Sequence, residues 1–203
     1  MLTVKQLNEI MKWRKAWSTT GGRKLSIVGC STEDEVIKRA VHEAHAPSVV
    51  RALKLPAGIS TNAARREAAQ LLESEFKIKL HTAMTQAEYD KWNMDTCRAI
   101  RGIYYRHGIH GYSLGNGQKI VNIAIKKLFS SSLIDPDFDF FHRAHIPLDS
   151  IIISVAKKKL GVAPLKESWS KIDDERELLR FQDDVRKNIP DGDFPLIWEI
   201  VNW

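Results

Sequence analysis

The stretch from residue 112 to residue 161 constrains this chain more than any other part of it. It begins with a glycine-containing turn, SLGNG, that runs directly into an apolar helix pattern containing Lys119. It ends with IPLDS in front of a second apolar helix pattern. Pro147 favours extended backbone before it, and Asp149 suits the N-cap of the helix that follows. The sequence therefore predicts an amine and a carboxylate, each at the start of a helix.

The glycine turn before Lys119 has the features of a phosphate-binding site. Its glycines can adopt a positive φ and let another backbone approach closely. The first amide groups of the helix that follows have no intrahelical acceptor and attract an anion. We therefore expect backbone phosphate to bind at four residues: Gly115, Asn116, Gly117 and Gln118.

The rest of the chain carries the start and stop signals of helices and no convincing set of alternating strands. Thr85 followed by Glu88 is a capping box, which predicts a long helix to about His107. The same reading predicts helices at about 3–17, 32–45, 47–55, 60–76, 118–130, 149–160, 173–188 and 195–202. Lys126 and Lys127 are expected on a solvated face. The apolar positions that support the first helix are Val4, Leu7, Ile10, Met11 and Trp17, and those expected to bury the helix at 149–160 are Ile151, Ile152, Val155 and Leu160. The predicted fold class is all-α, with at most one short strand pair that would include residues 24–29.

The charge distribution favours a polyanionic partner. The formal net charge is +6, but residues 173–203 hold four Lys/Arg and nine Asp/Glu, which leaves 27 basic and 16 acidic residues in 1–172. A basic body with an acidic C-terminal segment suits a ligand such as nucleic acid. A basic protein without such a partner is the alternative that charge alone leaves open.

Cysteine and hydropathy patterns exclude several other classes. Two cysteines, Cys30 and Cys97, cannot supply a four-cysteine zinc or iron–sulfur site. No apolar run approaches the roughly 20 residues of a membrane span. The charged, amphipathic N-terminus does not have a signal-peptide pattern. These features predict a cytoplasmic protein with no membrane association.

Two acidic or histidine-containing patterns suggest a metal but lack further ligands. His142 and His145 form an HxxH pattern, and DPDFDFF at 135–141 alternates acidic residues as a calcium loop does. The acidic run has no glycine and no downstream glutamate at the offset that a calcium loop needs. We expect a loop here, no metal site, and a surface position or a phosphate contact for the histidines.

The segments around Lys119 and Asp149 resemble the helix-hairpin-helix DNA glycosylases, the superfamily of endonuclease III and 8-oxoguanine DNA glycosylase. In that family a hairpin of the form LPGVG is followed by one residue and then a catalytic lysine; SLGNG, Gln118 and Lys119 match this pattern. IPLDS is similar to the family's segment that carries a catalytic aspartate, which places Asp149 in that role. The hairpin here lacks the usual proline, and the absence of four cysteines is typical of cluster-free branches.

The resemblance covers about 50 residues and implies a fold, an activity and a partner. The fold would be one glycosylase-like domain over 1–203, with a hairpin lobe at about 85–160 and a second lobe from about 1–84 and 161–203 around a cleft. The activity would be excision of a modified base from double-stranded DNA, followed by strand cleavage. An oxidised purine such as 8-oxoguanine is the expected base, and a hypermodified pyrimidine is an alternative. The protein would act as a monomer without a cofactor.

A glycosylase of this kind must hold an extruded base in a pocket. Among six tryptophans, Trp169 is the candidate for a pocket wall, since it lies in a predicted loop beyond the Asp149 helix. Trp198 and Trp203 are expected to anchor the C-terminal helix, and His145 is a further candidate for the pocket or a phosphate. The alternative function is a non-catalytic helix-hairpin-helix module that binds the DNA backbone, in which Lys119 contacts phosphate and Asp149 only caps a helix.

Overall fold

A computed structural model describes residues 3–19, 30–45, 53, 55 and 58–202 of the chain. Within these ranges there is no strand, so the predicted all-α class is confirmed for them. The helices are α1 (Val4–Thr19), α2 (Glu33–Ala44), α3 (Asn62–Lys79), α4 (Gln86–Arg106), α5 (Leu114–Phe129), α6 (Asp139–His142), α7 (Ser150–Leu160), α8 (Glu175–Asn188) and α9 (Pro195–Asn202). The extended segment expected at 24–29, the helix expected to begin near Pro47, and Trp203 lie outside the described residues.

Helix α5 lies at the centre of the fold. It packs against α2 on one side and α4 on the other, while α3 packs against both α2 and α4. All but two of its residues are buried, including every residue from Leu114 to Asn122. Helix α9 packs against α1, α6 and α7, which brings the C-terminal part of the chain close to the start of α7. Lys119, on α5, is therefore held within the core of the protein rather than on a surface hairpin.

The helix ends follow the capping signals in the sequence. Thr85 and Glu88 form both bonds of a capping box at the start of α4. Asp149 caps α7 and Asp174 caps α8, each through side-chain oxygens that accept from the next amide groups. Helix α7 ends at Gly161, whose φ of 69° is the left-handed conformation that glycine adopts without strain. These boundaries confirm the predicted positions of α4, α7, α8 and α9 to within two residues.

Helix α5 begins four residues earlier than the sequence predicts. Ser113 is its N-cap, and the Ser113 side chain accepts a hydrogen bond from the Asn116 amide at 3.1 Å. Gly115 and Gly117 therefore lie in the first helical turn and do not have a positive φ. The predicted glycine turn is wrong for this reason: a serine cap converts the whole SLGNG segment into helix.

Three further expectations require correction. Residues 139–142 form the short helix α6 inside the segment predicted as a loop. Ile151, expected to bury α7, is 55% exposed, and Ile152 is the residue that packs inward. Among residues 4–12 of α1, whose side chains the structure describes, the buried apolar residue is Ile10, whereas Val4, Leu7 and Met11 are exposed. Helical spacing identified the helices but not which apolar residues would find a packing partner.

Residues 168–173, which we call the strap, cross the start of α5. The Ser170 carbonyl accepts from the Ser113 hydroxyl and from the Asn116 amide side chain. The Ile172 carbonyl accepts from the Gly115 amide at 3.0 Å. A Cβ atom on Gly115 would lie 1.7 Å from the Trp169 carbonyl oxygen. Glycine is required at position 115 because the strap backbone occupies the space of a side chain.

We predict that Gly115→Ala destabilises the protein by about 1–3 kcal/mol or more, because the added methyl group must displace the strap backbone. Chemical denaturation monitored by circular dichroism measures the change. Gly111→Ala is the matched control, since nothing lies within 4 Å of a Cβ there and its φ is not positive. The close approach is contradicted if the two variants unfold at the same denaturant concentration.

Candidate functional site

Lys119 and Asp149 contact each other directly. Lys119 Nζ lies 2.6 Å from Asp149 Oδ2, which is the distance of a charge-assisted hydrogen bond. The Lys119 side chain is 7% exposed and the Asp149 side chain is 18% exposed. The structure thus brings together the two residues that the sequence placed at two helix starts, in a setting with limited access to water.

The two oxygens of Asp149 have different partners. Oδ1 accepts hydrogen bonds from the amides of Ile151 and Ile152, at 3.0 and 2.9 Å, and caps α7. Oδ2 faces Lys119. Burial opposes ionisation of this carboxyl, but the Lys119 charge and these hydrogen bonds outweigh burial and lower the pKa of Asp149. The group is a carboxylate at neutral pH, with its orientation fixed by the helix that it caps.

Gln118 sets the spacing between the two helix starts. Its side-chain amide donates to the Leu148 carbonyl at 3.2 Å, and its side-chain oxygen accepts from the Leu148 amide at 3.1 Å. Asn122 donates to the same oxygen at 3.2 Å, and Asn93 on α4 donates to Asn122 at 3.0 Å. This buried amide network joins α4, α5 and the residue before Asp149. It holds the aspartate against the lysine.

Trp169 covers Lys119 from the strap. Lys119 Nζ lies 5.5 Å from the centroid of the Trp169 ring, within the range of a cation–π contact. The Trp169 side chain is half-buried, so part of the indole is accessible. Of the tryptophans proposed from the sequence, this is the one that the structure brings to Lys119; Trp198 is buried in α9.

The amides expected to bind a phosphate are already occupied. The Leu114 amide donates to Asp173 Oδ1, and the Gly115 amide donates to the strap. The Asn116 and Gly117 amides both donate to Ser113. Gly115, Asn116, Gly117 and Gln118 are all buried. In this structure the start of α5 therefore offers no open phosphate site, because Ser113 and the strap satisfy its first amides.

His145 is also placed differently from its expected role. It is 1% exposed, and its Nε2 lies 2.8 Å from Asp90 Oδ1 on α4. Burial lowers the pKa of His145 despite the Asp90 charge. His145 therefore joins the segment before Asp149 to α4 and is not accessible to a phosphate or a base. No pattern in the sequence indicates this contact, since Asp90 lies 55 residues earlier.

A second buried ion pair was missed by sequence reasoning. Lys126 and Lys127 were expected on a solvated face, but Lys126 is 7% exposed and its Nζ lies 2.7 Å from Glu199 Oε2 on α9. Lys127 lies 2.9 Å from Glu43. Lys126 follows Lys119 by seven residues, which is two helical turns on the same face of α5. The only sequence signal is the acidic residue within the apolar run of α9.

Burial opposes the charge on both members of this second pair. It lowers the pKa of Lys126 and raises the pKa of Glu199, and both shifts favour the neutral forms. Lys119 and Asp149 are near enough for their charges to act on both groups. The Lys119 amine therefore lies in a cluster of four ionisable side chains enclosed by α5, α7 and α9.

Two other features of the described residues bear on function. No group of three or more His, Cys, Asp or Glu side chains in the described ranges is arranged to hold a metal ion. None of the described helices is long and apolar enough to cross a membrane. Comparisons with models of known protein families, with curated proteins and with solved structures find no match.

We predict that Glu199→Gln lowers the free energy of unfolding by about 3–5 kcal/mol, because it removes the carboxylate that lies 2.7 Å from the buried Lys126 ammonium. The double variant Lys126→Met, Glu199→Gln removes both charges and should recover much of that loss. Thermal and denaturant unfolding of the two variants gives the comparison. If the single and double variants are destabilised equally, the loss of unfolding free energy does not come from breaking the ion pair.

Proposed function

We propose that this protein is a DNA N-glycosylase with an associated AP-lyase activity, and that Lys119 is its nucleophile. The observation that carries the proposal is the 2.6 Å contact between Lys119 Nζ and Asp149 Oδ2. It pairs an amine with a carboxylate where the sequence resembles the catalytic lysine and aspartate of helix-hairpin-helix glycosylases. The half-buried Trp169 ring beside the amine adds an aromatic surface.

The pair suits the first step of this chemistry. Asp149 accepts a proton from the Lys119 ammonium, which frees the amine to attack C1′ of the target nucleotide. A bond forms between Nζ and C1′ while the glycosidic bond breaks, and its electrons leave with the base, which takes up the proton that Asp149 received from Lys119. Asp149 is then a carboxylate again and stabilises the positive charge that develops on the sugar. Both roles need the Oδ2 atom, which the helix cap leaves directed at the amine.

The second step follows from the covalent adduct. The sugar ring opens to give a Schiff base between Lys119 and C1′. Loss of a proton from C2′ then expels the 3′ phosphate by β-elimination, and water releases the lysine. The chemistry needs no cofactor, because the amine is the nucleophile and the protonated Schiff base that it forms is the electron sink.

The proposed substrate is double-stranded DNA with one modified base. The base must leave the helix stack to expose C1′, and an aromatic surface such as the half-buried Trp169 suits an extruded base. An oxidised purine such as 8-oxoguanine is proposed from the resemblance to cluster-free glycosylases. A two-lobed domain acting as a cytoplasmic monomer belongs to the same proposal.

The alternative function, a module that binds the DNA backbone through the hairpin without catalysis, makes a different demand on the structure. It needs free amides at the start of α5, whereas those amides are occupied by Ser113 and the strap. It also gives no reason to hold Lys119 against Asp149. The geometry therefore favours the enzyme.

We predict that Lys119→Gln abolishes strand cleavage and borohydride trapping, because glutamine has no amine to form a Schiff base. DNA binding should stay within a few-fold of the natural chain. A panel of duplexes, each with one modified base, is incubated with protein and treated with borohydride. Lys91→Gln, at a lysine 76% exposed on α4, is the control and should trap normally. Unchanged trapping by Lys119→Gln would contradict the assignment.

We predict that Asp149→Asn slows base excision by about 10²–10³-fold, the usual cost of removing one electrostatic group from a site of this kind. An asparagine oxygen can still accept from Ile151 and Ile152, so the cap of α7 is retained. Cleavage at a pre-formed abasic site should suffer less, since the base is already absent. Single-turnover excision measures the effect.

Asp174→Asn is the matched control for this variant. Asp174 caps α8 through the amides of Arg176 and Glu177, as Asp149 caps α7, but it has no contact with Lys119. The same substitution there should leave excision unchanged. Thermal unfolding of both variants confirms that each remains folded. Normal excision by Asp149→Asn would mean that Asp149 acts only as a helix cap.

A further inference from the structure

Hydrogen bonds fix the strap, residues 168–173, to the start of α5. Its carbonyls at Ser170 and Ile172 accept from α5 and its cap, and Asp173 Oδ1 accepts from the Leu114 amide at 2.8 Å. Arg101 on α4 lies 2.9 Å from the same carboxylate. Ile172 is 2% exposed. A rigid element of this kind can hold a ligand in a set position.

The strap also borders the Lys119–Asp149 pair. Trp169 lies 5.5 Å from Lys119 Nζ, measured to the ring centroid. Ser168 and Lys171 are exposed, while Trp169 and Ser170 are half-buried. Lys171 is two residues from Trp169, so their Cα atoms lie within about 7.6 Å. The exposed part of the strap therefore lies beside the proposed site of reaction.

Within the described residues, the strap carries hydrogen-bond donors that have no acceptor outside the strap. Within the described ranges, the Lys171 ammonium has no ion pair, and the amides of Trp169 and Ser170 have no acceptor. The hydroxyls of Ser168 and Ser170 lie 3.3 Å apart and are near the same turn. A lysine, two hydroxyls and two amides beside an aromatic ring suit a nucleic-acid backbone with an adjacent base.

Other cations near the site differ from Lys171. Lys119 and Lys126 are held by carboxylates, and Arg101 is held by Asp173. The negative charge of the strap at Asp173 is thus neutralised within the fold. Lys171 is left as the charge of the strap that has no ion pair among the described residues, which makes this edge of the site attractive to an anion.

We propose that the strap, and not the start of α5, binds the sugar–phosphate backbone of the DNA strand that carries the target nucleotide. Lys171 and the Trp169 and Ser170 amides contact phosphate, and Ser168 and Ser170 contribute their hydroxyls. The inference rests on the proposed function, which supplies DNA as the partner. The strap provides the phosphate contact that the occupied amides at the start of α5 do not offer.

The test measures how salt weakens binding to a duplex that contains a tetrahydrofuran abasic-site analogue, which cannot form a Schiff base. Each phosphate contact contributes about 0.9 to the slope of log K against log salt concentration. Lys171→Ala should therefore reduce the magnitude of the slope by about 0.9 and weaken binding roughly tenfold at low salt, with a similar loss on every DNA sequence. Lys38→Ala is the control, at an exposed lysine on α2 that has no ion pair within the described residues.

The inference is overturned if Lys171→Ala binds as the natural chain does, if Lys38→Ala reduces the slope equally, or if the natural chain does not bind this duplex. Thermal unfolding checks that both variants are folded. Borohydride trapping on the same preparations tests the glycosylase proposal separately. If the natural chain is trapped but Lys171→Ala leaves the salt slope unchanged, only the proposal for the strap is overturned. If Lys171→Ala reduces the slope but the natural chain forms no trapped adduct, the strap is supported as a DNA-binding surface and the glycosylase proposal is overturned.

Discussion

The contact between Lys119 and Asp149 is the interaction on which the account of this protein depends. It joins the second turn of α5, the central helix, to the cap of α7. One oxygen of the Asp149 carboxylate caps α7, and the other contacts the Lys119 amine. The Asp149 side chain therefore contributes both to the stability of α7 and to the proposed reactivity. Burying an amine in this way is favourable only while the opposite charge stays in place.

The rest of the core holds this contact in position. Gln118 binds both backbone groups of Leu148, and the Asn122–Asn93 chain extends that network to α4. His145 binds Asp90 from the same segment. The buried side-chain amides of this network bond to one another and to the Leu148 backbone, which favours a single arrangement of the segment before Asp149. A carboxylate held in one orientation is what electrostatic catalysis requires.

Local signals in the sequence were sufficient for the boundaries of α4, α7, α8 and α9, but not for the start of α5 or for the short helix α6. Caps act within three or four residues, so Thr85 with Glu88 and Asp149 could be recognised directly. Contacts between residues that are distant in the sequence could not be recognised in this way. Lys126 was assigned to solvent because its partner, Glu199, lies 73 residues away. Gly115 was assigned to a turn because nothing in the sequence shows that the strap backbone occupies its side-chain space.

The position of Trp169 was predicted only as a loop beyond the Asp149 helix. Its placement over Lys119 depends on carbonyls of the strap that bind Ser113, Asn116 and Gly115. Because backbone carbonyls make these contacts, no pattern of residue types in the sequence indicates them. The strap also explains why the phosphate site predicted at the start of α5 is closed, since the two features compete for the same amides.

Peptide mapping of the borohydride-trapped complex tests the central claim most directly. The natural chain is trapped on a cleaved duplex and digested with trypsin, and the modified peptide is identified by mass spectrometry. Our account predicts that the sugar remnant is attached to Lys119, and that trypsin no longer cleaves after that residue. Attachment to Lys126, to another lysine or to the N-terminal amine would contradict it.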